Sequence, residues 1–521
     1  MPTMTRATSR RAPRSAPASS WPGWPWIVPA GILLLTAILT YDPKLHINGD
    51  NVSYMRLAER ILHGDGLWPA SRFPPGLPWL LVPVQAIWGL ALMPQKLVVL
   101  AAFGVAAVFG ARLAVSQWGA VRGGVAAVLG LGLASVLEYS HYVMSEIPYL
   151  ALSLAALWCA DGRGGTSRKG ETASALWAGG LAACAFWVRS MGLAVVVAVP
   201  LAFLIRGRRG PALIALGASL LLLLPYAVRA LGPHEGDSYL RQLLLINPYY
   251  PEFGRLTPGE FLTRARFNAD EYFLLEIPHI VWPLTLRSTY SDLAALASRL
   301  PLPASLAALG LTALGLGVQL ARRRAWALVL LFTLMISLSW PPIWTSSRFL
   351  IGVAPFFTWS FLSGADLFGR WVLKARAPWF TWTIRGVLGA LLLINAVRLG
   401  EQAREYPQPW KNYFEAARWV RDATARDAFV IDRKPGLFGF ASERRCESFP
   451  READGVQLIG NFRQRGADFV VLPRIPYDDI ERFLRPAVGK HREAFEIVYR
   501  DDVPAGAETF VFRLRREGKV D

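Results

Sequence analysis

The sequence predicts a polytopic α-helical membrane protein of about eleven spans that carries a small C-terminal α/β domain. Long apolar runs with few or no charges recur through residue 398 and then stop. A run of about 20 apolar residues is long enough to cross the ~30 Å hydrocarbon layer as a helix. Short Arg-rich patches separate these runs, and residues 399–521 return to the mixed composition of a soluble domain. The expected organisation is a basic segment at 1–23, a membrane domain at 24–398 and a soluble domain at 399–521.

The net charge of +18 invites a nucleic-acid reading, but its location argues against one. Residues 399–521 hold 22 basic and 21 acidic side chains, so the excess sits in the membrane part. There, basic residues orient helices rather than bind polyanions. The three cysteines form no framework. Cys159 and Cys184 fall in apolar runs, Cys446 stands alone in the tail, and no CxxC pair exists. The basic N-terminus runs into WPWIVPAGILLLTAILTY without a small-residue cleavage site, which reads as an uncleaved first span.

Cytoplasmic loops collect Lys and Arg. With Arg6, Arg10, Arg11 and Arg14 inside, span 1 (about 24–41) exits, and 42–94 forms a first outer loop. Span 2 (about 95–115) returns to Arg112 and Arg122. Span 3 (about 123–141) exits toward Glu146, and span 4 (about 147–160) returns to Arg163, Arg168 and Lys169. Spans 5 and 6 form a hairpin with Arg189 at its outer tip and RGRRG inside. Span 7 (about 211–230) exits into a large outer loop, 231–300. Span 8 (about 301–320) returns to Arg322, Arg323 and Arg324. Span 9 exits to PPIWTSSR, span 10 returns to Arg370, Lys374 and Arg376, and span 11 (about 378–397) exits. This order requires that 74–94, rich in proline, lie at the interface without crossing. The C-terminal domain is then outside. In it WKNYFEAARWVRDA reads as an amphipathic helix. AFVIDR, ADFVVLP, FEIVYR and TFVFRLR read as strands, with helical patterns at about 454–465 and 478–488 between them.

Charged residues beside apolar runs are the functional candidates, because a charge near hydrocarbon is costly. Asp50 opens an amphipathic pattern (Val52, Met55, Leu57, Ala58, Ile61, Leu62). It suits a helix N-cap and equally a base able to take a proton from an incoming hydroxyl or amine. Glu146 lies between two apolar runs, with Glu138 one to two turns deeper. Its bland alternative is an interfacial helix end. His141 and Tyr142 also suit the interfacial aromatic belt. Arg348 stands outside, against the usual bias, where it could snorkel to headgroups or bind a phosphate through two parallel hydrogen bonds. Arg189 has the same two readings. No Walker A, GxGxxG, HExxH or GxSxG pattern appears, and nothing points to nucleotide chemistry.

Taken together, GDNVSYMRLAERILHGDG, FPPGLPWLL, SEIPY, the VRSMGL break and SSRFLIGVAPF resemble membrane glycosyltransferases of the GT-C fold. The likeness is to the bacterial protein-mannosyltransferase-like and aminoarabinose-transferase-like families. It covers roughly 24–398 and is strongest over 42–160. The resemblance implies Asp50 as catalytic base and Glu146 as a second catalytic acid. Arg348 and Arg189 then contact the phosphate of a polyprenyl-linked sugar, and Tyr54, Arg72 and His141 complete the substrate-binding set. Two departures bear on the substrate: Phe73 stands where the aminoarabinose branch has Lys before the paired prolines, and Asp50 is followed by Asn51 instead of a second acid.

The expected function is transfer of a hexose or pentose from a polyprenyl-phosphate donor to an extracytoplasmic glycan, lipid or protein acceptor. By resemblance the transfer inverts the anomeric centre. The expected location is the bacterial cytoplasmic (inner) membrane, in contact with its lipids. Asp50 and Glu146 with a phosphate would suit Mg²⁺ or Mn²⁺, though two carboxylates are too few to require one. A flippase or transporter of a lipid-linked glycan is the alternative. It predicts midplane charges and internal repeats, whereas no repeat is visible and the acids gather at one face.

Overall fold

The computed structural model describes residues 24–69, 71, 73–162, 168–231, 239–248, 250–291, 293–501 and 508–515. The basic N-terminal segment and Arg72 lie outside the described residues. Helices form where the apolar runs dictate. They are α1 (Ile27–Leu39), α2 (Asp50–Leu62), α3 (Gly76–Trp88), α4 (Leu92–Trp118) and α5 (Ala120–Leu131). There follow α6 (Ala134–Tyr139), α7 (Glu146–Leu157), α8 (Arg168–Val188), α9 (Leu193–Ile205) and α10 (Arg209–Leu231). After the large loop come Leu302–Ala321, Ala325–Ser339, Ala354–Phe368 and Ala377–Gln402. The run at 123–141 is not continuous. It breaks between α5 and α6 at Gly132–Leu133, where Gly130 and Gly132 lower helix propensity. Among the described residues, 5 helical stretches are long and apolar enough to cross a membrane by length and composition. Exposed leucines such as Leu213, Leu221 and Leu393 line the outside of the bundle, an apolar belt suited to lipid.

Close helix packing at two glycines fixes part of this bundle. A Cβ at Gly315 would overlap the Ser360 carbonyl, and one at Gly364 would overlap the Leu311 carbonyl. The Leu302–Ala321 and Ala354–Phe368 helices therefore meet backbone to backbone, the small-residue packing of helices in lipid.

The bundle has two chemically distinct poles. At one, Arg206 bonds to Asp161 and to the Ala160 and Arg323 carbonyls, and Arg208 pairs with Glu171. At the other lie Asp50, Glu146, Arg189 and Arg348. Helix α9 runs from the second pole to the first. Helix α3 has both ends at the Asp50 pole. Gly76 at its start is pressed against the Trp187–Val188 backbone, 2.6 Å from where its Cβ would be. Gln85 near its end donates to Met55 O and to Gln95 Oε1 in the first turn of α4, each at 2.9 Å.

The C-terminal domain holds a five-stranded sheet in the order β2-β1-β3-β5-β4. The strands are β1 (Phe429–Ile431), β2 (Arg445–Glu447), β3 (Phe469–Leu472), β4 (Phe495–Arg500) and β5 (Phe510–Leu514). β1 pairs in parallel with β2 and β3, and β5 runs antiparallel to β3 and β4. Four strands match the apolar runs read from sequence. β2, whose residues are Arg445, Cys446 and Glu447, carries no such run. The amphipathic helix is Gln408–Ala423, and its Tyr413 hydroxyl donates to buried Asp432 Oδ2 at 2.6 Å. Asp432 Oδ2 also accepts from Lys434 N at 2.7 Å, which fixes the turn into the Pro435–Ser442 helix.

We expect Gly315→Leu to destabilise the bundle by about 1–3 kcal/mol through overpacking. Gly317→Leu, at a position with open space around it, should not; thermal unfolding of purified protein in detergent compares the two. Burial raises the Asp432 carboxyl to about 6, above its unfolded value of ~3.9. The fold thus holds that proton more tightly than the unfolded chain does. The stability this group contributes is complete below about pH 4 and is lost as pH rises through about 6. Asp432→Asn should flatten that dependence, read by hydrogen exchange of residues 429–442 at pH 4.5 and 7.

Candidate active site

Asp50 is the first residue of α2. The capping position falls one residue earlier, on Gly49, which offers no side-chain cap. Asp50 instead directs its carboxylate away from its own helix: Oδ2 accepts from Arg348 Nη1 at 2.6 Å. Glu146 opens α7 and is buried, at 1 % exposure. Its Oε1 accepts from Arg348 Nε at 2.5 Å and lies 2.9 Å from Arg189 Nη1. Its Oε2 is buried with no hydrogen-bond partner among the described residues. Arg348 thus bridges two carboxylates that arrive on different helices, and Arg189 closes the other side of Glu146.

Local chain geometry delivers each arginine. Arg189 sits between α8 and α9 in extended conformation, with φ −152 and ψ 131. The turn behind it brings Gly192 onto the Ala185–Phe186 backbone, where a side chain has no room. Arg348 lies in a 3₁₀ stretch, Ser347–Val353, that precedes the Ala354–Phe368 helix. The Arg189 guanidinium stands 5.4 Å from the Phe349 ring. Arg189 Nη1 also donates to Ser145 Oγ at 3.0 Å, and the Tyr54 hydroxyl donates to the same oxygen at 3.1 Å.

Asp50, Tyr54, Ser145, Arg189 and Arg348 form the floor of a cavity of about 1100 Å³, with Glu146 buried behind the two arginines. Phe73, Phe186, Leu193, Tyr226 and Ile336 line an apolar side, and Arg433, Lys434, Arg451 and Tyr477 of the C-terminal domain line another. Phe73 packs on the Tyr54 ring with centroids 4.9 Å apart.

Of the residues singled out from sequence, Asp50, Glu146, Arg189, Arg348 and Tyr54 come together here. His141 does not. It is fully buried, bonds the Ala37 carbonyl through Nε2 at 2.8 Å and packs on Tyr41; burial among helices replaces the interfacial position expected of it. Glu138 is also set back, accepting from Thr289 N at 2.8 Å and from the Tyr142 hydroxyl at 3.0 Å. Ser145 and His46 were not singled out. His46 is fully buried and its Nδ1 accepts from Asn48 N at 3.2 Å, bracing the loop before Asp50. Burial, and after it the positive charges of Arg348, Lys96 and Lys434, hold the His46 imidazole well below its ordinary pKa, so it is neutral. The HINGD string was its only signal.

No group of three or more His, Cys, Asp or Glu side chains suited to a metal occurs among the described residues. Asp50 and Glu146 are two carboxylates, and Mg²⁺ is commonly held by one or two carboxylates together with waters and substrate phosphates. The Arg348 guanidinium already occupies the bridging position between them.

The fold is the GT-C fold. The chain superposes on the crystal structure of ArnT from Cupriavidus metallidurans in the apo state with a TM-score of 0.53 at 13% identity, covering 94% of this chain and 97% of that one. Against ArnT bound to undecaprenyl phosphate the TM-score is 0.52, at the same identity and coverage. The Archaeoglobus fulgidus oligosaccharyltransferase in complex with Zn and sulfate gives 0.55 at 14% identity, covering 86% of this chain and 67% of that one. No protein-family profile matches the chain, and no curated protein matches it.

Removing Arg348 leaves Glu146 buried with Arg189 alone. Breaking a buried pair costs about 3 kcal/mol at the low end, appropriate here because Arg348 keeps some solvent contact. Arg348→Gln should therefore lower thermal stability clearly, and Arg348→Lys should recover part of the loss. Asp50→Asn, which leaves both Glu146 pairs intact, should change stability little; thermal unfolding in lipid nanodiscs ranks the three.

Proposed function

We propose that this protein is a glycosyltransferase that moves a sugar from a polyprenyl-phosphate donor to an acceptor at the outer face of a bacterial inner membrane. The observation that carries the reading is the Asp50–Arg348–Glu146–Arg189 cluster at the floor of a cavity with one apolar and one polar side. The crystallised ArnT complex with undecaprenyl phosphate supports the donor class. In this reading 74–94 lies along the outer interface, as its two anchored ends at the Asp50 pole support. The Arg-rich pole is cytoplasmic, and the C-terminal domain faces outward.

The donor's tail rests on the apolar side, along Phe186, Leu193, Tyr226 and Ile336, and its phosphate meets Arg348 and Arg189. The phosphate competes for Arg348 with Asp50, so donor binding releases the Asp50 carboxylate from Arg348. Asp50 then accepts the proton of the acceptor's O–H or N–H as that atom attacks the anomeric carbon. The bond from the anomeric carbon to the phosphate oxygen breaks, and the pair of electrons leaves with the polyprenyl phosphate. Arg348 and Arg189 stabilise the charge that grows on it. One displacement inverts the anomeric centre. Glu146 stays between the arginines and sets their positions. A flippase would need charge distributed along a path across the membrane, whereas this cluster stands at one pole.

Asp50→Asn should lower transfer by about 100-fold or more at normal protein level, measured as glycan product in purified membranes. Retained transfer would remove Asp50 from the role of base.

A further inference from the structure

The cavity has a second polar side that the transfer chemistry leaves unused. The C-terminal domain sets Arg433, Lys434, Arg451 and Tyr477 along it. The Pro435–Ser442 helix packs directly on α2, whose first residue is Asp50. The polar wall and the Asp50 carboxylate are therefore carried on elements in contact.

The wall is short of anions. Arg433 Nε donates to Asp479 Oδ1 at 2.6 Å, and Arg451 Nε lies 3.7 Å from Asp479 Oδ2, so two guanidiniums share one carboxylate. Lys434 makes no ion pair among the described residues; its ammonium lies over the Tyr477 ring, 4.7 Å from the centroid, with Arg433 at 4.7 Å from the same ring. Three cations stand against Asp479 and against Asp432, the buried carboxylate beside Arg433, which leaves a surplus of about one positive charge among the described residues. The floor differs, because Arg189 and Arg348 are balanced by Asp50 and Glu146. Arg451 also donates to the Tyr250 hydroxyl at 2.7 Å, which ties the large outer loop to the wall.

A donor anchored in lipid presents its phosphate at the floor, at membrane level. The wall belongs to the soluble domain, on the water side of the cavity. At about 1100 Å³ the cavity exceeds the space one drug-sized ligand needs, so both partners fit at once. Resting on the transferase reading above, we propose that this wall recognises the acceptor and binds an anionic group on it, a phosphate or a carboxylate, so that its nucleophile stands over Asp50.

The test uses full-length protein in phosphatidylcholine nanodiscs and measures binding of three probes: glucose 1-phosphate, glucuronate and farnesyl phosphate. Wild-type protein should bind glucose 1-phosphate or glucuronate, and whichever binds identifies the anion. Lys434→Gln and Arg451→Gln should each weaken that probe about tenfold, the loss of one charge-assisted hydrogen bond, with farnesyl phosphate affinity unchanged. Asp479→Asn releases both guanidiniums and should tighten the sugar probe several-fold, a gain that a merely damaged domain does not produce. The proposal is overturned if neither sugar probe binds, if the wall variants weaken farnesyl phosphate equally, or if Asp479→Asn weakens the sugar probe. If farnesyl phosphate itself fails to bind wild-type protein, the transferase reading falls. If it binds while the wall variants change nothing, only the acceptor wall falls.

Discussion

The rest of the site depends on one guanidinium. Arg348 meets Asp50 and Glu146, which lie 298 and 202 residues away in sequence. Glu146, at 1% exposure, could not be kept at the end of an apolar bundle alone, because desolvating a charge without a partner costs several kcal/mol. Bringing both carboxylates to one cation therefore holds α2, α7 and the segment before the Ala354–Phe368 helix in a fixed relation. Arg189 completes the balance. The floor is ionic yet neutral, and a neutral floor is one from which a phosphate can take an arginine by offering a better anion.

The loop that carries Asp50 to this floor is held from behind. Lys96, fully buried in α4, donates to Asp42 O at 2.6 Å and also bonds the Lys44 carbonyl. Lys44 Nζ reaches Gln402 O at 2.8 Å, and the Tyr406 hydroxyl reaches Leu45 O at 2.7 Å. The last membrane helix and the start of the soluble domain are thereby fastened to the residues just before HINGD. The placement of the Pro435–Ser442 helix over α2 follows from the same clamp, so the C-terminal domain is part of the cavity's architecture and not a tethered appendage.

Much of this was legible because the governing costs are local. Apolar runs mark helices in lipid, and a charge placed beside such a run stands out, which is how Asp50, Glu146, Arg189 and Arg348 declare themselves. Four of the five strands carry Val- or Phe-rich runs, whereas β2 pairs only along one edge and needs no apolar face. Tyr54 was legible only through resemblance. Ser145 and His46 were not, since a serine before a helix and a histidine in a polar loop have ordinary uses everywhere. His141 shows the converse: aromatic and imidazole groups belong equally to interfaces and to helix packing, and pattern alone does not choose. The wall residues Arg433, Lys434 and Arg451 sit in a domain of near-neutral charge, so only the fold reveals that their surplus is gathered on one side.

That separation of charge orders the two halves of the cavity. Under the proposed function, a floor whose described cations and anions are equal in number would bind a phosphate by exchange, and the exchange would release Asp50 from Arg348. A wall with surplus cations binds an anion by addition and requires no partner to leave. Two anionic ligands can then occupy one cavity without competing for the same arginine. Under the proposed function, release of Asp50 from Arg348 would coincide with a bound donor, so the carboxylate would serve as a base only when there is a sugar to transfer.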